Sequence, residues 1–316
     1  MSGLMAVFWK ELSDHFSSKR FVILFLLVYL AGIATIYVAA QNIRSSVTGE
    51  TEFIFLRLFI VSGSNIPFSF LSFMSLFIPI IGIALGFDAV NNERTSGNLS
   101  RLLSQPIYRD SVINGKFLAG LVTIAILVFS IVAVVAGMGL RMIGIPPGSE
   151  EVLRLFGFIF VSIFYGAFWM SLSILFSILF KRTATSALAS IALWIFLLLF
   201  VSLIARLISG AVVPVDQNST IAVIAQNDSI FNMINRISPG TLYGEAVQVL
   251  LLPELGSTSS MLMTISILAG GMIPGTLPLS QSLLIVWPQI VSLIALTAIC
   301  FAISYITFMR EEIRAT

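Results

Sequence analysis

The sequence is poor in the residues that most often build disulfides, metal sites and catalytic centres. It contains a single cysteine, Cys300, and a single histidine, His15, among 316 residues. One cysteine excludes an intrachain disulfide and a cysteine-based metal site, and one histidine does not build a multi-histidine site or a histidine-based triad. We therefore expect no metal site, and we interpret Cys300 as a small residue packed in its apolar run and His15 as a surface residue.

Charged residues are scarce as well, at 10% of the chain against 58% hydrophobic residues. The mean hydropathy of +1.03 is far above that of a soluble globular protein of this length, so the composition indicates an integral membrane protein. The formal net charge is only +2, and the basic residues do not cluster on one element. We therefore expect no nucleic-acid partner.

Motifs of nucleotide binding and hydrolysis are missing from the sequence. It contains no G-x-x-x-x-G-K-[ST] phosphate loop, no H-E-x-x-H motif and no G-x-S-x-G motif. These absences predict that the chain is not an enzyme and that it has no nucleotide site of this kind.

What the sequence has in abundance is long apolar runs. Six of them reach the ~20 residues that a helix needs to cross a bilayer. None contains Asp, Glu, Lys or Arg, and they cover residues 21–40, 68–87, 117–140, 155–180, 184–205 and 283–309. The predicted fold is an all-α integral membrane protein with these transmembrane helices in a single domain, residues 1–316. Because ion-driven transporters keep ionisable groups at membrane depth, we expect any energy for transport to enter from outside the chain.

The connecting segments differ in their content of lysine and arginine. The N-terminus, the interval 88–116, the turn at Lys181 and Arg182, and the C-terminus together hold most of the basic residues. The positive-inside rule then places both termini and the interval 88–116 in the cytoplasm.

The start of the chain predicts an amphipathic helix. Leu4, Phe8, Leu12 and Phe16 recur at i+4 spacing, with polar residues on the other side. We interpret residues 1–20 as an interfacial helix. A simple leader and a cleaved signal peptide are alternatives, but the first apolar run is longer than the ~7–15 residues of a signal-peptide core, which favours an uncleaved anchor.

The interval 88–116 is the longest charged stretch between two long apolar runs. Within it, Leu99, Leu102 and Leu103 would share one face of a short helix, and Pro106 would end that helix. The pattern alone leaves two interpretations open, namely a helix that lies at the lipid surface and a helix that docks a soluble partner.

Proline and glycine mark particular points inside the spans. Pro79 and Pro288 remove a backbone hydrogen bond each and are expected to kink their helices. Gly82 and Gly86 form a small-xxx-small pair, a weak signal in an apolar run, which favours close contact with another helix.

The segment 208–282, before the last run, is expected to be a long, irregular external segment. Its first half holds too many prolines and polar residues for another crossing, and residues 259–272 predict a re-entrant or surface-lying helix. Met261, Met263 and Met272 of this segment have the thioethers that bind Cu(I), but methionine is more often apolar filler in such a chain. Glycosylation sequons begin at Asn218 and Asn227, and chance occurrence is the favoured explanation.

The interval 88–116 resembles the first cytoplasmic loop of ABC type-2 permeases, the membrane subunits of ATP-driven exporters. The stretch from Lys10 to Asp14 is similar to the members of that group related to the permease of the nitrous-oxide-reductase maturation exporter, and a weaker similarity covers residues 238–246. The residues of the interval that match the family pattern are, in order, Asp88, Glu93, Arg94, Gly97, Leu99, Leu102, Leu103, Pro106, Arg109, Gly115 and Lys116.

The resemblance implies that this interval is a coupling loop. In the family the loop and the turn at Lys181 and Arg182 face a separate ATPase, although a basic turn is equally well explained as a stop signal for the span. ATP and Mg²⁺ would be bound by that partner, and no cofactor is expected in this chain. The implied parts are an apolar plug of Leu99, Leu102 and Leu103, polar contacts from Glu93, Arg94 and Arg101, and helix boundaries at Gly97 and Pro106.

For the whole chain, the resemblance implies the permease subunit of an ABC exporter in the cell membrane of a bacterium or archaeon. Its expected partners are ATPase subunits, membrane lipid, and a second permease copy or a paralogue that completes a dimeric pathway. A non-transporting anchor or sensor that recruits a soluble ATPase, and an ATP-independent channel, are the alternatives. The apolar spans are compatible with amphipathic or lipid-like substrates and with ordinary lipid-facing helices alike.

Overall fold

The structure is a computed structural model that describes residues 3–46, 53–62, 68–95, 108–216, 219–252 and 277–310. Within these ranges the chain is built from helices and turns, without strands. The helices, in chain order, are α1 (Gly3–Ser17), α2 (Lys19–Ser46), α3 (Ile54–Ile60), α4 (Phe70–Gly86), α5 (Asn91–Thr95), α6 (Arg109–Ile143), α7 (Ser149–Leu179), α8 (Thr183–Ile195), α9 (Val201–Val212), α10 (Ile221–Asn235), α11 (Pro239–Leu251) and α12 (Leu279–Arg310), with a π-helical segment, Phe196–Phe200, between α8 and α9.

Six helical segments in the described ranges are long and apolar enough to cross a membrane. They are α2, α4, α6, α7, the continuous α8–α9 segment and α12, and each corresponds to one predicted apolar run. The predicted all-α integral membrane fold is therefore confirmed. Some helices extend beyond their runs into charged sequence, as α6 does from Arg109 and α7 from Ser149.

The central helix of the bundle is α7, which packs against α4, α6, α11 and α12. Its contact with α4 is close because Gly82 and Gly86 face it. A Cβ atom added to Gly82 would lie 2.5 Å from the carbonyl oxygen of Gly166, and one added to Gly86 would lie 2.5 Å from that of Met170. A larger side chain at either position requires the two backbones to move apart.

Two spans contain an internal proline. Pro79 lies in α4 and Pro288 lies in α12, and both helices continue through the proline. Each proline removes one backbone hydrogen bond and crowds the preceding turn, which is the physical basis of the kink expected there. The fifth span has a different irregularity, because the π-helical Phe196–Phe200 inserts a wide turn between α8 and α9.

The connection between the fifth and sixth spans is more regular than the sequence predicts. In the first half of the segment 208–282, the two helices α10 and α11 are joined by the short turn 236–238. The pair is termed the hairpin, although its two helices pack on different parts of the bundle. The prolines do not prevent helix formation, since Pro239 occupies the first turn of α11, where its missing N–H has no intrahelical partner. Residues 259–272 and Asn218 lie outside the described residues.

The hairpin lies against the bundle rather than apart from it. α10 packs on α9, and α11 packs on α7 and α12. Along α7, the carbonyl oxygen of Leu250 meets Arg154 and the hydroxyl of Tyr243 meets that of Ser162. About 12 Å of helix separates Arg154 from Ser162 at 1.5 Å per residue. α11 therefore runs alongside the central span instead of remaining outside the bundle.

Candidate functional site

At one end of the bundle, termed the N-terminal end, α1 and α5 meet the start of α6. α1 packs along α6. Its buried Val7 lies against Gly115, where an added Cβ atom would be 2.9 Å from Val7 Cγ1. α5 follows the turn after the second span. The structure thus describes the two ends of the predicted coupling loop, residues 88–95 and 108–116, at this end of the bundle.

Two lysines and two glutamates form an ion cluster here, termed the loop-base cluster: Lys10, Glu11, Glu93 and Lys116. All of them except Lys10 are buried. Lys116 Nζ donates to Glu11 Oε1 at 2.8 Å and to Glu93 Oε1 at 2.9 Å. Lys10 Nζ donates to the same two oxygens at 2.8 Å and 3.2 Å. The Lys116 side chain is only 6% exposed, and the two carboxylates are 12% and 11% exposed. Burial of these charges is tolerable because each has two partners of opposite sign.

The cluster shifts the titration of its two members on α1. Burial by itself raises the pKa of Glu11, but the charge of Lys116 and the hydrogen bonds from both lysines outweigh burial, and the net pKa is lowered. Burial by itself lowers the pKa of Lys10, but its hydrogen bonds and charge interactions with Glu11 and Glu93 outweigh burial, and the net pKa is raised. Glu11 and Lys10 are therefore both charged at neutral pH.

The start of the predicted coupling loop is also attached to the central span. Ser177 Oγ, near the end of α7, accepts hydrogen bonds from the backbone N–H of Val90 at 2.9 Å and of Asn91 at 3.1 Å. The first N–H groups of a helix have no intrahelical partner, so a hydroxyl from another helix caps α5. Asn91 is fully buried, and Thr95 Oγ1 donates to its carbonyl oxygen at 3.0 Å. The beginning of the loop is thus held by α1, α6 and α7 together.

A cavity of about 660 Å³ opens beside the loop-base cluster, whose four residues all line it. Its other walls combine charged residues of α1 and α2 with apolar residues of α2, α4 and α7. Two of the charged residues form a further link, because Arg20 donates to Asp88 Oδ2 at 3.1 Å and so joins the start of α2 to the turn after α4.

His15 lines the same cavity, and its expected position on the free surface is wrong. Its ring is partly buried, and Nδ1 lies 3.0 Å from Thr123 Oγ1 of α6. The Thr123 hydroxyl donates its hydrogen to the carbonyl oxygen of Ala119 at 2.8 Å, so it accepts from the histidine, and the neutral ring carries its proton on Nδ1. Burial lowers the pKa of His15, although the charge of Glu11 opposes that effect.

A second buried charge lies at the opposite end of the bundle. Arg154, near the start of α7, is fully buried. Its guanidinium donates to Glu150 Oε1 at 2.7 Å and to Ser282 Oγ at 3.1 Å. It also donates to the carbonyl oxygens of Leu250 and Leu277. Arg154 therefore joins α7 to the end of α11 and to the start of α12, a role that its position just outside the fourth apolar run does not reveal.

Comparison with protein families matches residues 5–313 to the family described as ABC-2 family transporter protein. The chain belongs to this family. Its members are the membrane permease components of ABC transporters and have no nucleotide-binding site of their own. Comparison with curated proteins finds no match. The predicted relation to ABC type-2 permeases is confirmed, whereas the closer similarity to the permease of the nitrous-oxide-reductase maturation exporter stays a prediction.

The structure of the permease describes part of the predicted ATPase-coupling set. Glu93 belongs to the loop-base cluster, and Arg94 follows it in α5. Lys181 and Arg182 form the exposed bend between α7 and α8. The rest of the set lies outside the described residues, namely Gly97, Leu99, Arg101, Leu102, Leu103 and Pro106.

The loop-base cluster and the hydroxyl that caps α5 are not recognisable from the sequence as one site. In the sequence, Lys10, Glu11 and Lys116 stand out only because they match a family pattern. No pattern singles out Ser177. The resemblance is thus the one signal that points to the three charged residues of the permease. Ser177 has no such signal, because a serine inside an apolar span is common and its partners lie far away in the chain.

Proposed function

We propose that this permease is the membrane subunit of an ABC exporter and that a separate ATPase drives it through the coupling loop, residues 88–116. The observation that best supports the proposal is the attachment of the start of the loop to three helices, through the loop-base cluster and Ser177. A segment held in this way moves together with those helices. A force applied to the loop is therefore transmitted into the membrane domain.

The proposed orientation puts the N-terminal end in the cytoplasm of a bacterial or archaeal cell, where an ATPase has access to it. The distribution of basic residues supports this orientation. Among the described residues, the exposed basic residues at this end include Lys10, Lys19, Arg20, Lys181, Arg182 and Arg310.

In the proposed mechanism, closure of the ATPase subunits moves the loop as a rigid lever. Glu93 passes the movement to Lys116 of α6 and to α1, and Ser177 passes it to α7. The second span, which contains Pro79, and the fifth span would then change their tilt and alter access to the pathway. One chain contributes six spans, so the pathway is proposed to form between two permease copies or between this chain and a paralogue.

The proposed contact with the ATPase is a short helix of the loop. Its apolar face, Leu99, Leu102 and Leu103, would fill a groove of the ATPase, and Arg94 and Arg101 would fix its angle. Lys181 and Arg182 would add a second contact. ATP and Mg²⁺ would be bound and turned over in the ATPase, and the permease would supply the mechanical response.

The double variant Leu102→Asp with Leu103→Asp tests this proposal. Two carboxylates cannot enter an apolar groove without losing their hydration, so we expect the variant to lose co-purification with the ATPase. Substrate-stimulated ATP hydrolysis in reconstituted vesicles should fall with it. Ile145→Asp is the matched control, since Ile145 is an exposed apolar residue of the turn at the opposite end and should have no effect.

Retained association and retained coupling in the double variant would refute the proposed plug. Substrate flux without nucleotide would indicate an ATP-independent channel instead of an exporter. Association with an ATPase whose hydrolysis never responds to substrate would indicate a non-transporting anchor or sensor.

A further inference from the structure

The hairpin brings an ion pair to the side of the sixth span. Arg236, at the end of α10, donates from Nε to Glu245 Oε2 at 2.9 Å and to Glu245 Oε1 at 3.1 Å. Gln289 of α12 donates from Nε2 to Glu245 Oε2 at 3.0 Å. These three residues, termed the hairpin-tip cluster, come from three different helices. The loop-base cluster and the mechanism proposed above do not involve them.

The hairpin-tip cluster lies beside apolar sequence. Gln289 is about 9 Å of helix past the start of the apolar run 283–309, at 1.5 Å per residue. That run is about 40 Å long, whereas the hydrocarbon layer is about 30 Å thick, so a centred span places Gln289 about 4 Å inside the hydrocarbon boundary. The six runs themselves hold no charge, and the charges of Arg236 and Glu245 come to the side of the sixth span from the hairpin.

Two kinds of hydrogen-bonding group in the cluster are left without partners among the described residues. Gln289 Oε1 is one of them. The amide atom that faces Glu245 must be the nitrogen, because a flipped amide would place the Gln289 oxygen against a carboxylate oxygen. The atom without a partner is therefore the oxygen. The terminal nitrogens of Arg236 are the other, since its bonds within the described part of the chain use Nε and its side chain is 50% exposed. The cluster therefore offers spare donors on an exposed side chain, and a spare acceptor that is buried until the Gln289 side chain moves.

An apolar groove of about 540 Å³ runs along α12 from Arg236 and Gln289, which line it, whereas Glu245 lies behind them as their hydrogen-bond partner. Leu242, Leu296 and Ile299 are among its lining residues, and Ile299 is 56% exposed. The lining of α12 extends from residue 288 to residue 299, about 16 Å of helix. That length is close to the ~15 Å of hydrocarbon in one leaflet. The groove thus has the dimensions and the polarity for one acyl chain below a polar head.

We propose that this groove binds a phospholipid with an ethanolamine headgroup. The phosphate would accept hydrogen bonds from the terminal nitrogens of Arg236, and the ammonium would donate to the carboxylate of Glu245, with Gln289 Oε1 as a further acceptor after a small side-chain movement. One acyl chain would lie along Leu296 and Ile299. The proposal does not depend on the direction of transport or on the ATPase.

Charge and hydrogen bonding select this headgroup over the other common ones. Arg236 and Glu245 are together neutral, so a zwitterionic lipid leaves the site neutral, whereas an anionic glycerol lipid adds an uncompensated negative charge at the hydrocarbon boundary. A choline headgroup is zwitterionic too, but its quaternary nitrogen has no N–H to donate to Glu245 or Gln289 Oε1. The predicted order of binding is therefore ethanolamine first, with choline and glycerol headgroups weaker.

Native mass spectrometry of the full-length permease, delipidated and then supplied with equal amounts of the three phospholipids, tests the proposal. We expect preferential retention of the ethanolamine lipid, and a loss of at least about tenfold in Arg236→Gln and Glu245→Gln, which remove charge-assisted bonds. Ala295→Phe should also abolish retention, because Ala295 is an exposed residue of the groove and a phenyl ring would fill it. The controls are Arg141→Gln, an exposed arginine outside the groove, and Ala298→Phe, an exposed position of α12 that does not line it.

Equal retention of all three lipids by the wild-type permease would overturn the proposal. So would normal retention in Ala295→Phe, which keeps the polar cluster intact and stays informative even where a charge variant fails to fold. If Arg236→Gln leaves lipid retention unchanged and instead shifts the permease between monomer and dimer, the groove is an interface between copies and the lipid proposal is refuted.

Discussion

Lys116 is the most enclosed charge of the loop-base cluster, and its removal leaves two carboxylates that share Lys10 as their one remaining cation in the cluster. We predict that Lys116→Met lowers the free energy of unfolding by about 3–5 kcal/mol, because breaking a buried ion pair leaves uncompensated charge in a poorly solvated site. The melting temperature of the purified permease in detergent measures the effect. Lys19→Met, at an exposed position at the start of α2, is the control and should melt like the wild type. Equal melting temperatures for Lys116→Met and Lys19→Met would contradict the prediction.

His15 predicts a pH dependence of stability at the N-terminal end. Its pKa is lowered in the folded state, so the unfolded chain binds a proton more readily. The contribution of the neutral ring is complete above the unfolded pKa of about 6.5, and it is lost as the pH falls through the lower, folded pKa. We expect the melting temperature to fall between about pH 7.5 and about pH 5.5.

The variant His15→Asn isolates this effect, because its amide can still donate to Thr123 but does not titrate. A smaller fall of the melting temperature in this variant than in the wild type is the expected result. An identical fall in both proteins would assign the pH dependence to other groups.

Among the helices, the contact between α4 and α7 depends on the absence of side chains. We predict that Gly82→Ala destabilises the permease by about 1–3 kcal/mol, since its methyl group would overlap the backbone of α7. Gly137→Ala is the matched control, because a Cβ atom at Gly137 of α6 meets no atom within 4 Å among the described residues. It should be neutral or stabilising by up to about 1 kcal/mol through better helix propensity. Similar melting temperatures for the two variants would argue against a close-packed contact at Gly82.

The elements differ in how far the sequence predicts them. Each membrane span is visible because an uninterrupted apolar run is a local property of the chain. The hairpin α10–α11 is hidden because its polar and proline residues resemble those of a loop, and only the bundle shows that Pro239 begins a helix. Residues of the predicted coupling loop can be assigned through a family pattern. The partners of Glu93 on α1 and α6, and the capping hydroxyl of Ser177 on α7, cannot be predicted in this way. They lie far from the loop in the sequence, and a helical or strand pattern relates only neighbouring residues.

For the molecule as a whole, the proposed orientation predicts which ends are reachable from each side of the membrane. In a Cys300→Ala background, Lys19→Cys should react with a membrane-impermeant thiol reagent only in inverted vesicles. Ile145→Cys should react only in right-side-out vesicles. Both positions are exposed in the structure and lie at opposite ends of the bundle, so they form a matched pair. The reverse pattern would place the coupling loop outside the cell and contradict the proposed drive by a cytoplasmic ATPase.

The guanidinium of Arg154 has a consequence for protein engineering. It holds the carbonyl oxygens of both Leu250 and Leu277, the residues that flank the chain on either side of positions 253–276. Because these two flanks are fastened to one side chain of the central span, we expect the placement of the sixth span to tolerate a change in the number of residues between them. An epitope or a small reporter inserted into that stretch should therefore leave the packing of the other helices unchanged. Such an insertion could serve as a tag for imaging or purification.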